Sequence, residues 1–146
     1  MNNRELDKKV IQNVNSLIYE KGFVCSVDML LKLDCITKKD YESWRFGKIA
    51  YLEKACKLNL SKLSLINRII IKIARDLKLE KSWTAYNRYG KGKKIRLIFS
   101  KSGNPNIELA YSTHYLDKKR FNELKKNKPI VQPLQTPGEQ TLPVVG

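Results

Sequence analysis

Apolar residues recur at helical spacing through the first half of the chain and at strand spacing only later. Leu6, Val10, Val14, Leu17 and Ile18 share one helical face, and Gly22 is a natural stop. Ser26 is expected to cap a second helix, with Asp28 in its first turn and Leu30, Leu31 and Leu33 as core. Thr37 then caps a third, with Asp40 three residues on in a short variant of the capping box. Tyr41 and Trp44 share a face of it, Gly47 bends or breaks it, and Ile49, Leu52 and Cys56 continue a helical pattern to Asn59. The most regular pattern follows. Leu63, Ile66, Ile70, Ile73 and Leu77 alternate three and four residues apart, with Ser61 or Ser64 as the expected cap. Leu65 and Ile69 widen that face, so this helix is expected to be buried on most sides. Arg68, Lys72 and Arg75 form a separate basic stripe along it.

The period then changes. Trp83, Ala85, Asn87 and Tyr89 alternate with Thr84, Tyr86 and Arg88, and Ile95, Leu97 and Phe99 with Arg96, Ile98 and Ser100. Gly90-Lys91-Gly92-Lys93-Lys94 between them has the length of a hairpin loop. Asn104 and Pro105 open a further helix with Ile107, Ala110, Tyr111 and His114 on one face, which Phe121 and Leu124 extend or follow as a short separate piece. The expected fold is mainly α with a β-hairpin, an α+β class. It is a bundle of four to five helices, then a two-stranded hairpin in winged-helix manner, then a final helix. Residues 1–127 form the single basic domain. Prolines punctuate 128–146, which reads as a disordered tail.

Charge sharpens the picture. The 146 residues carry 29 Lys and Arg against 14 Asp and Glu, a net charge of +15. Such an excess repels itself and destabilises a compact state unless an anionic partner or counterions screen it. Lys81, Arg88, Lys91, Lys93, Lys94, Arg96 and Lys101 lie in a stretch, 81–107, with no acidic residue at all. Trp83, Tyr86, Tyr89 and Phe99 interleave with them. Dense positive charge among flat rings suits a polyanion with stackable bases, so nucleic acid, DNA or RNA, is the expected partner. A membrane is not, because no basic amphipathic helix or lipid anchor is evident and Ile69-Ile70-Ile71 is far too short to span a bilayer. The N-terminus shows no signal-peptide pattern, and three irregularly spaced cysteines, Cys25, Cys35 and Cys56, fit free thiols in a reducing cytoplasm. Heavy use of Lys, Asn and Ile points to an AT-rich genome, bacterial or viral.

Chemistry is thin by comparison. His114 is the one histidine, and any Ser-His or Cys-His site must use it; packing or hydrogen bonding is the plainer expectation. No C-x-x-C pair exists for zinc, and the acidic residues are too scattered for a two-metal centre, so no metal and no cofactor is expected. Gly90-x-Gly92-Lys93 is not a Walker motif, although glycines and lysines together suit backbone contact with a phosphate. The residues expected to contact nucleic acid are Arg68, Lys72, Arg75, Tyr86, Arg88, Tyr89, Lys91, Lys93, Lys94, Arg96 and Lys101. The expected function is non-catalytic binding. The alternatives are a protein-interaction subunit of a larger nucleoprotein or defence assembly, and a small nuclease built on His114 and a nearby tyrosine.

Four segments also resemble parts of a small family of bacterial proteins to which no activity is assigned. They are Tyr41-Glu42-Ser43-Trp44-Arg45-Phe46-Gly47, Ser82-Trp83-Thr84-Ala85-Tyr86, Phe99-Ser100-Lys101-Ser102-Gly103 and Ala110-Tyr111-Ser112-Thr113-His114. The resemblance spans about residues 22–116. It implies that this region is the domain unit and the tail an appendage, and it transfers no catalytic role.

Overall fold

A computed structural model describes residues 1–126, and the tail expected at 128–146 lies outside them. The chain is mainly helical, with a small three-stranded antiparallel sheet, an α+β fold. The helices are α1 (Asn3–Lys21), α2 (Ser26–Lys32), α3 (Lys38–Arg45), α4 (Leu60–Asp76), α5 (Pro105–Ser112) and α6 (Lys118–Lys126). The strands are β1 (Phe23–Val24), β2 (Glu80–Trp83) and β3 (Thr113–Leu116), in the order β1-β3-β2. Among the described residues no helix is long and apolar enough to cross a membrane.

Helices α1 and α4 make the principal helix pair, and each contributes the face its spacing predicts. Leu6, Val10, Val14 and Leu17 of α1 are buried, as are Leu63, Ile66, Ile70 and Ala74 of α4. The core is less complete around α4 than expected, since Leu77, just past its end, stays half exposed. Helix starts follow side-chain oxygens that accept orphan amides. Asn2 caps α1 in a full capping box with Glu5. Thr37 Oγ1 accepts from the Asp40 amide at 3.0 Å, as predicted. Asn104 caps α5, with Pro105 in its first turn.

Two expected caps are corrected. Asn59, not Ser61 or Ser64, caps α4 by accepting from the Lys62 amide at 2.9 Å. Ser26 lies inside α2; its hydroxyl donates to Asn67 Oδ1 on α4 at 2.5 Å instead, and Cys25 takes the cap position without a side-chain bond. The helical pattern between Ile49 and Cys56 yields only a short 3-10 turn, Leu52–Ala55.

The sheet holds the largest differences from expectation. His114 belongs to β3, not to a helix. β3 is the middle strand. Its Tyr115 pairs with Val24 on one side and Lys81 on the other, and Thr113, His114 and Tyr115 are all buried. With both faces covered, no alternation remains to be read. The hairpin shrinks to one bridge, Asn87 to Arg96, with the Arg88 amide donating to Ile95 O and the Leu97 amide to Tyr86 O, each at 2.8 Å. Trp83 pairs elsewhere, as the last residue of β2. Gly22 turns the chain from α1 into β1 at φ +81°, and a Cβ there would lie 2.5 Å from Phe121 Cα of α6. The helix stop therefore doubles as a close packing point. Phe121 and Leu124 fall in α6, a separate piece.

Candidate nucleic-acid interface

The basic segment between β2 and α5 is an irregular loop with an ordered interior. Tyr86, Leu97 and Phe99 turn inward and are buried, whereas Arg88, Lys91, Lys93, Lys94, Ile95, Arg96 and Ile98 are exposed. Trp44 of α3 anchors the inward side. Its ring lies 5.8 Å from Tyr86 and 5.3 Å from Phe99, and its Nε1–H donates to Ile98 O at 2.9 Å. Phe99 also stacks on Tyr111 of α5 at 5.2 Å. Glu108 of α5 fastens the returning limb, because its carboxylate accepts from the amides of Phe99 and Ser100 and from the Ser100 hydroxyl. The outward residues are thus held on a fixed base.

One cation turns inward. Arg45 is only 2% exposed and pairs with no carboxylate among the described residues. Its guanidinium donates to Tyr41 Oη at 2.8 Å and to Asn87 O at 3.1 Å. It also lies 4.1 Å from the Tyr89 ring centre and 5.2 Å from that of Tyr86. A desolvated guanidinium gains from aromatic faces and neutral acceptors together. Its Nε has no partner. The Tyr89 amide donates back to Arg45 O at 2.7 Å, so α3 and the base of the loop are joined. Arg88 crosses Gly47, whose added Cβ would meet the Arg88 Cδ at 2.9 Å.

The outward cations are differently placed. Ion pairs form at Lys21–Asp28, Lys32–Glu20, Lys72–Asp76, Lys118–Glu80 and Arg120–Glu123. Among the described residues none involves Lys81, Arg88, Lys91, Lys93, Lys94, Arg96 or Lys101. On α4, Arg68, Lys72 and Arg75 are exposed as expected, and Lys72 pairs with Asp76 at 3.2 Å in solvent, where such a pair is weak. Arg68 and Lys101 meet at one groove between α4 and α5, a cavity of about 640 Å³ that Leu60, Ile71 and Ile107 also line. Lys72 and Arg75 do not line it.

Tyr86 leaves the contacting set. It is 4% exposed, and its hydroxyl lies 2.8 Å from His114 Nε2 and 3.7 Å from Cys25 Sγ. Its ring therefore leaves little surface for a base, although it lines the cleft beside Trp83. Tyr89 is half-buried against Arg45 and edge-on to Phe46 at 5.3 Å.

Trp83, named among the interleaved rings but left out of the expected contact residues, is 52% exposed under the Arg96 guanidinium at 4.9 Å. An aromatic at the end of an alternating run is ordinarily core, and only the basic partner thirteen positions on signals otherwise. His114, 5% exposed and stacked on Phe23 at 5.0 Å, is packed away from solvent. Burial lowers its pKa to about 4 and pushes the Cys25 thiol well up, so neither is poised for acid–base or nucleophilic work at neutral pH. Among the described residues no group of His, Cys, Asp and Glu is arranged to hold a metal.

No protein-family model, curated protein or solved structure matches this chain.

Proposed function

We propose that this protein binds nucleic acid without catalysis, through the exposed cations of the loop between β2 and α5 and the basic stripe of α4. The observation that supports it is the pairing pattern. One or two cations on each of α1, α2, α4 and α6 sit in an ion pair, whereas among the described residues none of the seven cations of 81–107, a stretch without any acidic residue, does. Unpaired, exposed positive charge on a fixed base favours a chain of phosphates. In this reading Lys91, Lys93, Lys94, Arg88 and Arg96 contact the backbone, and Gly90 and Gly92, with open space around them, let main-chain amides approach it. The finer proposal is a winged-helix manner of docking. Here α4 presents Arg68, Lys72 and Arg75 while the glycine-lysine loop acts as the wing.

The test is a titration at several salt concentrations. If about six phosphates are neutralised on duplex DNA, log K falls against log salt with a slope near −5. Lys91→Gln/Lys93→Gln/Lys94→Gln is expected to flatten that slope by about 2 to 3. A binding constant insensitive to salt would refute the mechanism.

A protein-interaction role has one observation in its favour, the groove between α4 and α5, whose lining holds Leu60, Ile71 and Ile107 together with Arg68, Lys101 and Glu53. Co-purification with a single acidic protein, free of nucleic acid, would favour that reading. The nuclease reading has lost support, since His114 is buried and engaged with Tyr86.

A further inference from the structure

We infer that the cleft beside Trp83 receives an unpaired base, so that the preferred ligand is single-stranded nucleic acid. This rests on the broader nucleic-acid reading above, takes the place of its winged-helix form, which docks on duplex, and narrows the substrate class.

Among the described residues β2 is an edge strand, with no neighbouring strand on the far side of Trp83. Strand alternation puts Lys81 and Trp83 on one face of β2. Tryptophan is highly buried on average, yet Trp83 leaves 52% of its surface in solvent. It is not alone there. Ile98 (42%) and Leu109 (54%) are also exposed, and all three line one cleft of about 300 Å³ with Arg96 and Thr84. That volume is at the low end for small-ligand sites. Apolar surface gathered around a cleft marks a binding site more than scattered residues do.

The polar groups fit the same ligand. The Arg96 guanidinium lies 4.9 Å from the centre of the indole ring and places positive charge beside the aromatic surface. An aromatic ring with a cation beside it suits a base with its phosphate. Thr84 in the wall is 6% exposed, and its hydroxyl is buried without a hydrogen-bond partner. A duplex hides its base faces within the stack, whereas a single strand offers them.

The second tryptophan, Trp44, is fully buried, so ligand-dependent fluorescence reports on Trp83. Binding of the full chain is measured against three ligands of about twelve nucleotides: a single strand, an abasic strand and a duplex. Deoxy and ribo forms of the single strand distinguish DNA from RNA. Tryptophan emission is expected to be quenched by the base-bearing single strand alone. Trp83→Ala is expected to weaken that strand by roughly five- to a hundred-fold. Binding of the abasic strand and the duplex stays unchanged, and Trp83→Phe, which keeps a ring, restores most of the loss. The inference is overturned if Trp83→Ala affects all three ligands equally or none, while Lys91→Gln/Lys93→Gln/Lys94→Gln weakens all three. In that case the broader reading stands. If the wild type binds none of the three, both fall together.

Discussion

Acid is expected to destabilise this protein through its single histidine. His114 sits in the buried middle strand, its ring stacked on Phe23 at 5.0 Å and its Nε2 2.8 Å from Tyr86 Oη. Burial is the main cause that lowers its pKa from 6.5 to about 4; the Asp28 carboxylate opposes the shift and the Lys21 charge adds to it. The unfolded chain keeps the ordinary value. Between the two values the unfolded state binds a proton that the native state does not, so stability falls as pH falls through this window. The contribution is whole above the unfolded value, and the loss is complete once pH passes below the folded one. The full loss is about 3 kcal/mol, and at ~pH 5 it is about 2 kcal/mol. Carboxylates titrate nearby, so the reference is His114→Gln, which removes the imidazole and keeps a polar partner for Tyr86. Urea unfolding of both proteins at ~pH 7.5 and ~pH 5 isolates the difference, and the wild type should lose about 2 kcal/mol more than the variant. Equal losses, or an imidazole proton resonance that titrates near the ordinary value in the folded protein, would refute the reasoning.

Arg45→Lys keeps the charge but not the fork that reaches both Tyr41 Oη and Asn87 O, so it should lower the urea-unfolding free energy by about 2–3 kcal/mol. Unchanged unfolding would mean that the inward guanidinium contributes nothing. Gly22→Ala forces a side chain into the left-handed region and against the Phe121 backbone; a loss on the order of 3 kcal/mol in thermal or urea unfolding is expected. Glu108→Gln weakens the charge-assisted bonds to the Phe99 and Ser100 amides, with an expected cost of about 1–2 kcal/mol and faster amide exchange at both.

The helices were largely legible because each buries one stripe. Leu6, Val10, Val14 and Leu17 on α1, and Leu63, Ile66 and Ile70 on α4, are the residues that their spacing marks as core. The sheet was not legible. β1 is two residues long, and β3 is covered on both faces, so neither leaves a period-two trace. Ile107, Ala110, Tyr111 and His114 keep helical spacing across the junction where α5 passes into β3, and that spacing hid the change of element. The β-branched and aromatic run Thr113-His114-Tyr115 was the available signal. For the candidate site, the outward cations could be read from composition and alternation. The burial of Tyr86 could not, because its partners are Cys25 and His114, distant in sequence.

The same geometry bears on how the basic loop acts. Lysine-rich segments with paired glycines are often mobile, and a mobile segment loses entropy when it closes on a ligand. Here the inward residues alternate with the outward ones, and the inward ones are Tyr86, Leu97 and Phe99 packed in the core. Trp44, Arg45 and Glu108 each bind the loop's backbone, from two different helices. The spacing of Arg88, Arg96 and Lys101 is therefore set before any ligand arrives, while Lys91, Lys93 and Lys94 sit beyond the last bridge, between two glycines with open surroundings or just after them. This division separates two kinds of contact. In the proposed nucleic-acid reading, the positioned arginines favour one strand geometry over another, because misplacement costs them, whereas the lysines at the tip supply attraction with little preference. On that proposal Glu108→Gln is expected to act on the first and spare the second, eroding discrimination between single strand and duplex more than overall affinity in the same three-ligand titration.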